Sequence, residues 1–283
     1  MLKAFTKRIT RMFYKIYDLH FRSVKRLIDY TARIKYRPVG LVLGTLLLEF
    51  GPSLRSAARR LRYRRPPHYY GFDLLRPEHR HKSPVLLLHG SMGKWSDVAA
   101  LGHALKQAGI PVFVMNFLHA HNASEAERKR IYEKIEQIQL LYKETFNIDP
   151  PRVDLIGHSL GGMMALYCSF TPECCYIDES DPTTLRRDRL VMKEGQTPTR
   201  YPHIGKVITI GMPSNVLEVR WVLEAGNEQQ LFNILAQYDA IIGDMEWSLK
   251  STVPMNTFEL NKGHLGVLSK AAFQKIIQWL TQK

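Results

Sequence analysis

Residues 153–162 read Val-Asp-Leu-Ile-Gly-His-Ser-Leu-Gly-Gly, and an apolar run from Met163 to Tyr167 follows them. A strand-forming stretch thus enters Gly157-His158-Ser159-Leu160-Gly161, and a helix-like stretch leaves it. In that context Gly-x-Ser-x-Gly signals a sharp strand-to-helix turn. The central serine takes a strained backbone conformation there, and the flanking glycines keep side chains out of the way of neighbouring elements. Such a turn lifts the hydroxyl of Ser159 to the edge of a sheet and aims the first N–H groups of the next helix at any oxyanion that forms. A serine so placed is a nucleophile in need of a base. The pentad alone also occurs as a glycine-rich turn closing a buried strand, so its weight depends on what surrounds it.

From about Phe72 onward, apolar segments of strand length alternate with helical patterns. Val85-Leu86-Leu87-Leu88 precedes His89-Gly90; a helix is predicted from about Ser96 to Ala108 and a strand over 111–117. Ser124-Glu125-Ala126-Glu127 forms a capping box. It opens a charged helix to about Phe146, with Ile131, Ile135, Ile138, Leu141 and Tyr142 on one face. Further strands are predicted at 153–158, 206–211, 231–236 and from near Met255 to Leu260, and a last helix from Gly266 to about Leu280. Continuous apolar strands alternating with helices predict an α/β fold, its mainly parallel sheet covered by helices on both faces. The 283 residues suffice for one catalytic domain with an appendage.

In such sheets ligands bind at the carboxyl ends of the strands, so the partners of Ser159 are sought there. Gln237-Tyr238-Asp239 stands at the end of one predicted strand. Asn261-Lys262-Gly263-His264-Leu265-Gly266 lies between the last strand and the last helix. Ser, then Asp, then His is a chain order known for this arrangement. His264 would take the proton of Ser159, and Asp239 would hold the imidazole tautomer and stabilise the imidazolium. Asp244 is the alternative acid, although its place directly before a predicted helix, Met245 to Leu249, suits a cap. An oxyanion hole needs two backbone donors. Leu160 supplies one, and the His89-Gly90-Ser91-Met92-Gly93 loop the other, from Ser91 or, second, Met92.

His158 is expected to pack beside the turn, and His103, His119, His121 and His203 to be surface or packing residues. The three cysteines, Cys168, Cys174 and Cys175, are odd in number and lack a histidine at ligand spacing. They read as packing residues in a reducing compartment, and no metal or cofactor is expected.

On these motifs the stretch from about Ser83 to Lys283 resembles the α/β-hydrolases, and in detail the small bacterial triacylglycerol lipases and lipase-like esterases. LLLHG with its loop, LIGHSLGG, VITIGMPSN, YDAIIG and GHLGVL each match that pattern in place. The resemblance implies Ser159 as nucleophile, Asp239 as acid, His264 as base and Ser91 as oxyanion donor. It also implies hydrolysis of carboxylic esters, lipid esters foremost, through an acyl-enzyme. Acyl transfer and thioester hydrolysis use the same triad, and a catalytically silent, membrane-bound scaffold is the alternative from another class. Two stretches depart from the pattern. The first 70 residues have no counterpart in the smallest members, and 171–203 is a polar insertion that reads as a lid, a specificity loop or a solvated excursion.

The formal charge of +14 sharpens the division into a 1–68 extension and a 69–283 catalytic domain. Residues 1–65 hold 17 Lys and Arg against Asp18, Asp29 and Glu49, and the rest of the chain carries 23 charges of each sign. Residues 2–36 read as a basic amphipathic helix. Residues 38–50, PVGLVLGTLLLEF, are apolar but too short to span a bilayer comfortably, and six arginines follow within 55–65. The extension is expected to meet an anionic membrane surface as an interfacial anchor; the alternatives are packing on the catalytic domain and a cytoplasmic protein. The Arg59 to Arg65 run lacks a nucleic-acid recognition fold, so no nucleic acid is expected. No obligate protein partner is evident.

Overall fold

Alternation along the strands assigns each apolar side chain to one of two faces of a sheet. In the computed structural model of the protein, residues 52–118, 123–178, 189–212, 231–236, 256–260, 262 and 264–282 are described. The strands are β1 (Val85–Leu88), β2 (Val112–Met115), β3 (Val153–His158), β4 (Cys175–Asp178), β5 (Arg189–Met192), β6 (Ile204–Ile210), β7 (Leu231–Ala236) and β8 (Asn256–Leu260). Six of them form one sheet in the order β2-β1-β3-β6-β7-β8, every neighbouring pair parallel. The helices are α1 (residues 52–62), α2 (Trp95–Gln107), α3 (Glu125–Phe146), α4 (Leu160–Cys168) and α5 (Lys270–Thr281).

Val85 and Leu87, with Ile156, Ile208 and Ile234, face α2 and α5, which contribute Val98, Leu101, Leu105, Ala272, Ile276 and Trp279. Leu86 and Leu88, with Leu155 and Val207, face α3 and α4, which contribute Ile131, Ile135, Ile138, Tyr142 and Leu166. The two-residue period thus makes two cores, one on each side. Each fully buried aliphatic side chain contributes about 1.5–3 kcal/mol.

Strand order reverses between β1 and β3. The chain goes from β1 outward to β2 and returns past β1 to β3, so the loops leaving β1 and β3 diverge and leave a crevice at their carboxyl ends.

Three boundaries and one cap differ from expectation for local reasons. β2 stops at Met115 because the next groups turn to the neighbouring loop: Asn116 Oδ1 accepts from Trp95 N at 2.8 Å, and Phe117 N donates to His89 Nε2 at 3.1 Å. β6 ends at Ile210 because Gly211 turns to φ 55°. α5 starts at Lys270 rather than Gly266, since Val267 and Leu268 are first buried in a turn and Ser269 takes the N-cap position. Only half of the capping box of α3 forms. Ser124 Oγ accepts from Glu127 N at 3.2 Å, but the Glu127 carboxylate accepts from Leu118 N and Arg130 instead of turning back.

The base of the 171–203 insertion is an antiparallel hairpin, β4 with β5, whose Cys174, Cys175, Ile177 and Leu190 join the α3 side of the core. The Arg128 guanidinium on α3, fully buried, donates to the carbonyls of Phe170 and Cys175, each at 2.9 Å. This packing replaces the picture of a solvated excursion at the base of the insertion; residues 179–188 between the strands lie outside the described residues. The three cysteines are buried and unbridged.

Candidate active site

β3 runs straight into the serine turn. Ser159 has φ 54° and ψ −122°, a conformation that costs a non-glycine residue about 1–3 kcal/mol, and it is only half-buried. Its surroundings hold it there. Ser159 N donates to Ile210 O at 2.9 Å, while its carbonyl accepts from Gly162 N at 2.9 Å and Met163 N at 3.1 Å. A Cβ on Gly157 would run into the Gly161 carbonyl, and one on Gly161 would lie 2.5 Å from Leu88 O, so both glycines are sterically required. The N-terminus of α4 starts at Leu160, directly beside the hydroxyl-bearing residue.

The loop after β1 lies against this turn. A Cβ on Gly90 would sit 3.2 Å from Ser159 Cβ and 3.1 Å from His158 Nδ1. Buried His89 shapes the loop. Its Nε2 accepts from Phe117 N, so the proton is on Nδ1, which donates to Gly90 O at 2.7 Å. Burial lowers the His89 pKa, which keeps this neutral tautomer. Gly90 O also accepts from Gly93 N at 3.1 Å, closing a turn whose tip is Ser91 and Met92. Both are exposed, and Met92 has φ 53° although it is not glycine.

His264 reaches the same place from the far end of the chain. It is buried, its ring centroid lies 4.8 Å from that of His158, and its carbonyl accepts from His158 Nε2 at 3.0 Å. Burial first, and His264 second, push the His158 pKa down to about 3, so His158 stays neutral with its proton on Nε2. The expectation that His158 packs beside the turn holds, and it also anchors the backbone that carries His264. Ser159, the 90–93 loop and His264 are thereby gathered at one sheet edge. Asp239 and Asp244 lie outside the described residues; β7 ends at Ala236, with Asp239 following after two intervening residues.

Comparison with known families gives a match to the alpha/beta hydrolase family over residues 85–258. The chain belongs to this family. Among solved structures, this α/β-hydrolase is similar to the lin2722 gene product of Listeria innocua, with 13% identity over 71% of this chain and 95% of that one and a TM-score of 0.45. It is similar to XC6422 from Xanthomonas campestris, described as an α/β serine hydrolase without lid, with 15% identity, 74% and 84% coverage and a TM-score of 0.44. A third is esterase PE8, with 15% identity, 70% and 91% coverage and a TM-score of 0.42. Such distant likeness does not extend to substrate. No curated protein matches the sequence.

Two features of the hydrolase's site go beyond the sequence reading: the buried role of the His89 ring and the Arg60–Asp97 pair. His89 has a visible signal, its place in the His-Gly pair after a buried strand. Arg60 and Asp97 have none: Arg60 Nε and Nη2 donate to Asp97 Oδ1 and Oδ2 at 3.1 and 2.9 Å, joining a residue of the basic extension to one of the catalytic fold.

Proposed function

We propose that this hydrolase cleaves carboxylic esters, lipid esters foremost, through an acyl-enzyme on Ser159. The observation that carries the reading is the strained Ser159, beside Gly90 on one side and next in sequence to His158, whose ring and Nε2 meet His264. In the proposed cycle His264 removes the proton of Ser159 Oγ as that oxygen bonds to the ester carbonyl carbon. The tetrahedral oxyanion accepts from Leu160 N and the Ser91 N–H. Collapse breaks the bond to the alcohol oxygen, which takes the proton from His264. Water, deprotonated by the same imidazole, then cleaves the acyl-enzyme and restores Ser159. Asp239 orients the imidazole in this scheme. Neutral His158 supports it by fixing the His264 backbone without placing a second positive charge beside the imidazolium.

The lipid part of the reading is supported by α1. Its outward residues Leu54, Ala57, Ala58 and Leu61 recur at helical spacing and are exposed, alongside exposed Arg62, Arg64 and Arg65. An apolar stripe edged with arginines suits the boundary of an anionic bilayer. Among the described residues no helix is long and apolar enough to cross a membrane.

The test is labelling by a fluorophosphonate probe together with turnover of p-nitrophenyl esters of short and long chain, wild type against Ser159→Ala. The expected result is loss of labelling and a fall in kcat of about 10⁴-fold or more. Folded wild-type protein that neither labels nor turns over, with and without anionic vesicles, would leave the scaffold as the better account.

A further inference from the structure

We infer that Arg60, on the helix that precedes the catalytic fold, is a positioning residue for the 90–93 loop. This rests on the reading of that loop as the oxyanion donor. Arg60 makes three contacts with one guanidinium: the two-point fork on Asp97 and a bond from Nη2 to the Met92 carbonyl at 3.3 Å. Asp97 is a hub. Its Oδ1 accepts from Ser56 Oγ at 2.6 Å, its Oδ2 accepts from Lys94 N at 3.0 Å at the start of α2, and its backbone carbonyl accepts from Arg59 Nη1 at 3.0 Å. Burial alone would raise the Asp97 carboxyl, but the bonds from Arg60, Ser56 and Lys94 N outweigh it and hold the pKa below the usual carboxylate range. The carboxylate is therefore charged wherever the hydrolase reaction would run.

The Met92 carbonyl is a telling target. Met92 is a non-glycine residue at positive φ and is 69% exposed, so side-chain packing does little to hold the strained conformation. The loop is instead held through its backbone: Gly93 N and His89 Nδ1 on the Gly90 carbonyl, and Arg60 on the Met92 carbonyl. Those contacts fix the peptide planes on both sides of the tip, and hence the direction of the N–H groups between them. The Arg60 side chain is 44% exposed but that of Asp97 only 14%, and the fork is two-point within a network, so the pair contributes to stability as well as to the geometry of the loop. In the sequence α1 follows directly on the apolar 38–50 stretch, so the clamp joins the extension to the candidate oxyanion loop.

The experiment compares full-length wild type, Arg60→Ala, Arg60→Lys and Ser159→Ala. It measures kcat and KM on a short-chain p-nitrophenyl ester, amide hydrogen exchange in the peptide covering 89–97, and the thermal midpoint. For Arg60→Ala we expect kcat to fall about 10- to 100-fold, less than for outright removal of an oxyanion donor, with KM within about twofold. Exchange in 89–97 should accelerate more than in peptides elsewhere, beyond what any drop in the thermal midpoint accounts for. Arg60→Lys should fall between, because an ammonium cannot span Asp97 and Met92 O together. Unchanged exchange in Arg60→Ala would overturn the clamp. Faster exchange with unchanged kcat, while Ser159→Ala is dead, would overturn the positioning role and leave the hydrolase reading intact. Turnover that survives in Ser159→Ala would overturn that reading and this role with it, whatever exchange shows.

Discussion

Asp154 and His158 stand four residues apart on β3, equally buried and with opposite consequences. At the amino end, Asp154 Oδ1 accepts from Lys206 N at 2.6 Å; burial raises its pKa to about 6, against the pull of that bond, Lys206 and Arg200. At the carboxyl end, burial lowers His158 to about 3. Both groups favour the neutral form in the folded state, so their pH signatures run in opposite directions. Asp154 is neutral-favouring relative to an ordinary value of 3.8, so it weakens the fold as pH rises from about 4 to 6, and its penalty is complete above that. His158 has an ordinary value of 6.5, so its contribution is complete above 6.5 and is lost as pH falls toward 3. One buried polar group merely closes a strand end, whereas the other, kept neutral by burial, donates to the His264 carbonyl.

The comparison breaks most visibly at His158. His158→Phe keeps a ring of similar size but leaves the buried His264 carbonyl without its donor, at a cost of about 1–3 kcal/mol. If that bond places His264, kcat per folded molecule should fall about 10²-fold, as a displacement of about 1 Å in a catalytic group can cause. His158→Gln, which retains a donor, should recover part of both losses. Denaturation and initial-rate measurements on the same preparations separate the two. Stability lost with kcat intact would reduce His158 to a packing residue, no different in kind from Asp154.

The sequence carries the site end of β3 better than its surroundings. Gly157, Ser159 and Gly161 are legible because the turn tolerates so few residues, and the His-Gly pair because a buried strand must end somewhere. His264 is legible by its place between the last strand and the last helix. Arg128 is legible too: it is in phase with Ile131, Ile135, Ile138 and Tyr142, so helical spacing alone puts it on the buried face. The Arg60–Asp97 pair is not, since two charges 37 residues apart on separate helices carry no local signal of contact. The start of α5 differs because Val267 and Leu268 look helical by pattern but are buried in a turn, and the helix opens only after the extended backbone of Ser269.

Asp154→Asn sharpens the other half of the comparison. The amide oxygen keeps the bond from Lys206 N, and the ionisation penalty disappears. At pH 7 the variant should be more stable than wild type by up to about 3 kcal/mol, the equivalent of moving a carboxyl from 3.8 to about 6. The gain should shrink toward zero near pH 4, with kcat unchanged throughout. Urea denaturation at pH 4, 5.5 and 7 checks it, and a gain independent of pH would mean that ionisation is not its source.

The smallest effect is expected at Lys206, whose ammonium donates to Trp279 O at 2.6 Å and Gln282 O at 2.8 Å, capping the C-terminus of α5. Lys206→Met removes a cation from a helix C-terminus and should cost about 0.5–1.5 kcal/mol. It also removes a positive charge that favours ionised Asp154, so the folded-state pKa of Asp154 should climb further and the cost should be larger above pH 6 than at pH 4. In an Asp154→Asn background that extra pH dependence has no source. The loss from Lys206→Met should then be the same at pH 4 and 7, which isolates the helix cap from the carboxyl. A pH dependence that persists in the double variant would place the sensitivity outside β3 and remove Asp154 from the comparison.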